Sequence, residues 1–179
     1  MTGRADDTAT GGVVLPAHRD AAVTALFHAQ WGSLVRLARL LVDDRETAED
    51  VVQDAFAQLH RRWGSLRDAD AALFYLRAAV ANGARNRLRS RKRALARAPL
   101  FAASAPAADV AAVEREEQRD VVAGLRRLPW RQRQVLVLRY YLDLTEAEIA
   151  ATLGISRGAV KSHCSRGIAA LSRRLEMAP

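Results

Sequence analysis

Arg157, Lys161, Ser162, Ser165 and Arg166 lie close together near the C-terminus of a chain of 179 residues. Wound into an α-helix, residues at this spacing gather on one side, because positions three and four apart are neighbours on a helix surface. The resulting face carries guanidinium, ammonium and hydroxyl donors. It suits the major groove of duplex DNA, where cations hold phosphates and planar or hydroxyl donors meet base edges. The same residues on an unpartnered helix would be an ordinary solvated basic face, so the elements that carry them matter.

Those elements are legible just upstream. Thr145 stands three residues before Glu148, the spacing of a capping box, and Ile149, Ala150 and Leu153 then give one apolar side. Gly154 supplies the positive φ needed to leave a helix, and Ser156 offers a fresh cap for the next. Val160, Ile168 and Leu171 are expected to turn that second helix inward. Helix, short glycine turn and basic helix together predict a helix-turn-helix that reads duplex DNA.

The rest of the chain is helical by the same criterion. Residues 1–19 lack periodicity and are expected to form a flexible tail. Leu26, Phe27, Trp31, Leu34, Ala38 and Leu41 mark one or two amphipathic helices. A second stripe of Ala48, Val52, Ala55, Phe56 and Leu59 leaves Glu49, Asp50, Gln53 and Asp54 on an acidic, amide-rich outer face. Leu73, Tyr75, Leu76, Ala79 and Val80 then lead into the dense basic series Arg85, Arg87, Arg89, Arg91, Lys92, Arg93 and Arg97, too charged to be core. Phe74 and Tyr75 have rings able to stack on bases, although aromatics at helical spacing are more often core, and at least one is expected there. Residues 94–112, rich in Ala with Pro99 and Pro106, are expected to be a linker. Beyond it, a charged helix from Val113 and another led by Pro129, with Val135, Leu136 and Leu138 as core, run into the helix-turn-helix. No strand pattern or repeat is convincing. The expected fold is all-α: two small helical domains at residues 20–93 and 113–179, joined by a flexible linker, the second a helix-turn-helix.

Composition narrows the partners. A net charge of +8 and a pI near 10.8 favour a polyanion, either nucleic acid or an anionic membrane surface. Lys92 and Lys161 are the only lysines, so the basic chemistry is mostly the planar fork of arginine. Cys164 is the single cysteine, which excludes an internal disulfide and a cysteine-based zinc cluster and suits a reducing cytoplasm. The four histidines, His18, His28, His60 and His163, have no metal-ligand spacing. Neither a metal nor another cofactor is expected. No phosphate-binding glycine loop, nucleophile elbow or paired acids suggest catalysis, and no apolar run predicts membrane insertion.

Taken in order, these motifs resemble a known family, the alternative sigma factors of bacterial RNA polymerase of the extracytoplasmic-function type. Asp44 to Phe56, with its Ala48-Glu49-Asp50-Val51-Val52-Gln53 core, is similar to the helix that binds the polymerase clamp. Tyr75 to Asn82, followed by Arg85 to Arg89, is similar to the helix that opens and reads the minus-ten element. Leu128 to Leu136 and Val160-Lys161-Ser162 are similar to the module that reads the minus-thirty-five element. The resemblance implies a sigma factor that binds core RNA polymerase through its beta-prime clamp and beta flap, recognises promoter DNA, helps open it, and is held silent by an anti-sigma factor. It assigns Glu49, Asp50, Gln53 and Asp54 to polymerase. It gives Asn82, Arg85, Asn86 and Arg89 to the separated strand, with Arg91, Lys92 and Arg93 on duplex phosphate. At His163 and Cys164 the chain departs from the Arg and apolar residue often found in the family. A dimeric helix-turn-helix regulator, or a basic protein coating RNA or chromatin, are the readings that compete from outside the family.

Overall fold

The computed structural model describes residues 19–66, 68–97 and 116–176, without the side chains of Lys92 and residues 95–97 and 116–119. Among them are seven α-helices: α1 (Arg19–Leu41), α2 (Arg45–Arg62), α3 (Ala69–Arg97), α4 (Glu116–Arg126), α5 (Trp130–Tyr140), α6 (Glu146–Leu153) and α7 (Arg157–Glu176). The expected N-terminal tail, up to residue 18, and residues 98–112 of the expected linker lie outside the described residues. Residues 94–97 still belong to α3, because nothing in Ala-Leu-Ala-Arg stops a helix.

The first domain is α1 to α3. Two aspartates start its later helices: Asp44 Oδ1 accepts from Thr47 N at 2.7 Å and Asp68 Oδ1 from Ala71 N at 2.8 Å. Leu34, Leu37, Leu41, Val52, Leu59, Leu76 and Val80 close the core between them. Each such side chain contributes roughly 1.5–3 kcal/mol by leaving water. Phe27 joins α1 to α2 through Phe56, with ring centroids 5.1 Å apart. Tyr75 packs against this core, while Phe74 is exposed.

The second domain is α4 to α7. Leu136, Val137 and Leu138 of α5 are buried with Ile149, Leu153 and Val160 of the helix-turn-helix. Ile168 departs from expectation, since it is exposed and its neighbour Gly167 is buried instead. The reason is close approach of α5: a Cβ at Gly167 would stand 3.1 Å from Leu136 Cγ and 3.3 Å from Gln132 Cβ. The two domains are docked on each other, α5 against α1 and α6 against α3, so their buried side chains form one continuous cluster.

Candidate functional site

The helix-turn-helix forms from the local signals expected of it. Thr145 Oγ1 accepts from Glu148 N while Glu148 Oε2 accepts from Thr145 N at 2.7 Å, completing the capping box. The Thr145 bonds hold the Glu148 carboxyl below its ordinary value. Gly154 takes φ +62°, and Ser156 Oγ accepts from Ala159 N at 3.1 Å to start α7. Arg157, Lys161, Ser162, Ser165 and Arg166 are all exposed on α7, as the donor face requires. Lys161 Nζ lies 3.9 Å from Glu146, too far to hold it away from a phosphate. His163 is half-buried among them; burial first, then Arg166 and Arg131, push its imidazole below the ordinary value, so it adds no charge to the face at neutral pH.

On α2, Gln53 and Asp54 are exposed and Glu49 and Asp50 half-buried, all on the side turned from the core. This face is not bare acid. Arg45 Nε donates to Glu49 at 2.7 Å, and Arg87 of α3 reaches Asp54 at 2.9 Å and Asp50 at 3.7 Å. Arg91 adds a pair to Asp44 at 3.5 Å. The acidic face of α2 and the basic end of α3 are therefore neighbours that partly neutralise each other, a pairing that sequence reasoning missed although the charges themselves were visible.

On α3, Asn82, Arg85, Asn86 and Arg89 fall at three- and four-residue steps and share one side of the helix. Asn86, Arg89, Arg91 and Arg93 are exposed; of the Lys92 side chain nothing is described. Asn82 and Arg85 are half-buried, because the second domain stands over them. Asn82 Nδ2 donates to the Thr152 carbonyl of α6 at 3.1 Å. Gln134 Nε2 donates to the Ala81 carbonyl at 2.8 Å. Arg133, only 3% exposed, donates from Nε to Leu40 O at 2.6 Å and from Nη2 to Val42 O at 3.2 Å, with Asp43 at 3.6 Å. Burial pushes its guanidinium down to about 10, against the nearby Asp43 carboxylate. In sequence, Arg131-Gln132-Arg133-Gln134 belongs to the stretch that resembles the minus-thirty-five module, and no periodicity marks two of its residues as buried. The signal that could have marked them is position: Gln134 and Arg133 precede Val135 and Leu136 on a helix whose next turn is wholly apolar.

Among the described residues there is no group of histidine, cysteine and acidic side chains placed to hold a metal, and no helix long and apolar enough to cross a membrane.

Comparison with known proteins is specific for both domains. Residues 26–94 match Sigma-70 region 2, and residues 118–171 match Sigma-70, region 4. The RNA polymerase sigma-E factor of Streptomyces coelicolor is 34% identical over 143 residues, 80% of either chain. The ECF RNA polymerase sigma factor SigM of Mycobacterium tuberculosis is 39% identical over 150 residues, 84% of this chain and 75% of its own. Two solved structures share the fold. The sigma factor RpoE of Bartonella quintana, in complex with the anti-sigma factor NepR, aligns with a TM-score of 0.73 at 21% identity, over 87% of this chain and 98% of that one. CnrH, in complex with the cytosolic domain of CnrY, aligns with a TM-score of 0.64 at 24% identity, over 89% and 91%.

Proposed function

The chain belongs to the extracytoplasmic-function sigma factors of RNA polymerase, and on that premise we propose how its surfaces divide the work of promoter selection. The α2 face around Glu49, Asp50, Gln53 and Asp54 docks on the polymerase clamp. The α3 side with Asn82, Arg85, Asn86 and Arg89 holds the separated minus-ten strand, while Arg91, Lys92 and Arg93 grip flanking phosphate. The α7 face of Arg157, Lys161, Ser162, Ser165 and Arg166 reads the minus-thirty-five duplex. The chain itself has no chemistry to perform; the polymerase makes the phosphodiester bond, in the cytoplasm where it works. Between uses an anti-sigma factor covers the docking and DNA faces.

One observation carries this division best. The α2 and α3 faces are adjacent on one three-helix unit, whereas the α7 face belongs to the four-helix unit docked against it. A protein that must touch polymerase, a melted strand and an upstream duplex at once needs that separation, and a dimeric repressor does not.

The test is transcription. The purified chain is mixed with bacterial core RNA polymerase and a genomic-fragment library, and transcript starts are sequenced. Discrete starts sharing two upstream elements, absent without the chain, are expected. Starts identical to those of core polymerase alone would overturn the proposal.

A further inference from the structure

We propose that Arg131 of α5 joins His163 and Arg166 of α7 in a single phosphate site for the backbone of the minus-thirty-five duplex, and that His163 takes a proton from solvent as the phosphate enters. The proposal rests on the assignment of the α7 face to that duplex, and adds to it a residue from a neighbouring helix and a proton.

The packing of α5 on α7 brings the three groups together. At Gly167 the helices are so close that an added Cβ would stand 3.3 Å from Gln132 Cβ. Arg131 immediately precedes Gln132, Arg166 immediately precedes Gly167, and His163 stands one turn earlier on α7, next to Arg166 on the helix surface. The charge of Arg131 therefore reaches the imidazole together with that of Arg166. Both guanidiniums are braced without being neutralised: Arg131 Nη1 donates to Gln134 Oε1 at 3.1 Å and Arg166 Nε to the Ser162 carbonyl at 3.1 Å, and each keeps further N–H groups to donate. Among the described residues no carboxylate pairs with Arg131, His163 or Arg166. The acids of α6 are engaged elsewhere, Glu146 near Lys161 and Glu148 on Thr145. Behind Arg131 stands Arg85 of α3, a further cation, and α4 meets α7 farther along, at Leu171. Cys164, beside His163, packs against the core. Cations gathered without an internal counter-charge call for an anion from outside, and the duplex carries one on every nucleotide.

The imidazole makes the third charge of this site conditional. Burial, then Arg166 and Arg131, keep it neutral while the site is empty, since a proton there would add one more like charge. A phosphate reverses that balance: an opposite charge within hydrogen-bonding reach favours the imidazolium, which then donates to a phosphate oxygen. An arginine in the same place would be charged in both states. Duplex binding is thus coupled to proton uptake. Because the bound chain holds the extra proton, affinity rises as pH falls, until the empty site is protonated as well.

The experiment titrates the full chain with a labelled duplex of the mapped minus-thirty-five sequence, read by fluorescence anisotropy at fixed ionic strength in phosphate-free buffers from pH 8 to pH 6. Expected are an affinity gain of roughly fivefold or more across that range and a salt slope steeper by about 1 at the lower pH, as one more cation engages phosphate. His163→Gln and His163→Arg should both lose the pH dependence, the first binding weakly throughout and the second tightly throughout. Arg131→Ala should bind more weakly with a salt slope shallower by about 1, and Arg131→Lys should restore the slope. Circular dichroism checks that each variant keeps its helices. A flat pH profile in the parent, a pH dependence that survives in His163→Gln, or an unchanged salt slope in Arg131→Ala overturns the site. Should Lys161→Ala with Arg166→Ala bind the duplex as the parent does, the α7 assignment falls and the site with it; if that variant is weakened and the parent's pH profile is flat, the phosphate site alone falls.

Discussion

Arg87 of α3 lies 2.9 Å from the Asp54 carboxylate of α2, tying the outer face of one helix to the basic end of the next. Both side chains are about half exposed, so the pair adds at most about 1 kcal/mol to stability. Its larger effect is on what α2 shows a partner. With Asp50 and Asp54 sharing Arg87 and Glu49 bonded to Arg45, docking on α2 depends on the arrangement of charges more than on their sum.

Reversing that arrangement tests the polymerase face. Glu49→Arg with Gln53→Arg places two cations where the proposed partner surface is basic, and like charges brought together at an interface cost several kcal/mol. Polymerase binding should fall at least tenfold in a pull-down or fluorescence titration, while binding of the minus-thirty-five duplex by the free chain stays unchanged. Equal loss of both would contradict the division of labour.

The complementary change acts on α7. Lys161→Ala with Arg166→Ala removes two exposed cations of the α7 donor face. Every cation taken away from a phosphate lowers the slope of log affinity against log salt by about 1. The double variant should bind duplex more weakly, with a slope shallower by about 2, and still associate with polymerase.

The close approach of α5 to α7 predicts a glycine that will not accept alanine. Gly167→Ala gains about 1 kcal/mol of helix propensity, yet its methyl would meet Leu136 Cγ at 3.1 Å and Gln132 Cβ at 3.3 Å, atoms too near their backbones to move aside. Overpacking of this kind costs about 1–3 kcal/mol. Urea denaturation should show net destabilisation, and a rise in midpoint would mean that the two helices separate easily.

These packing relationships explain what the sequence disclosed and what it hid. Helices with a 3.6-residue apolar period, the Thr145–Glu148 box and the Gly154 turn are local features, and each is where its own residues put it. Gly167 gave no signal because a buried glycine has no side chain to mark it, so Ile168 stood in its place on the apolar track. Nothing in the sequence marks Arg133 and Gln134 as buried, because their partners, Leu40, Val42 and Ala81, are backbone carbonyls far away in the chain, and backbone acceptors have no residue type to recognise. Asn82 was legible as a polar residue on the α3 side, but its bond to Thr152 follows from domain docking, which no periodicity encodes.

The capping box itself carries a pH dependence. Because bonds from Thr145 hold the Glu148 carboxyl below its ordinary value in the folded chain, the folded state favours the charged form. That contribution is fully present above the ordinary carboxylate range and is lost as pH falls through the depressed folded value. Thr145→Ala removes the one hydroxyl that both accepts from Glu148 N and donates to its carboxylate, at a cost of ~1 kcal/mol near neutral pH. Thermal melts of the parent and the Thr145→Ala chain should therefore differ most at neutral pH and converge on acidification. A gap that stays constant down to pH 3 would mean that the Glu148 charge contributes nothing to the start of α6.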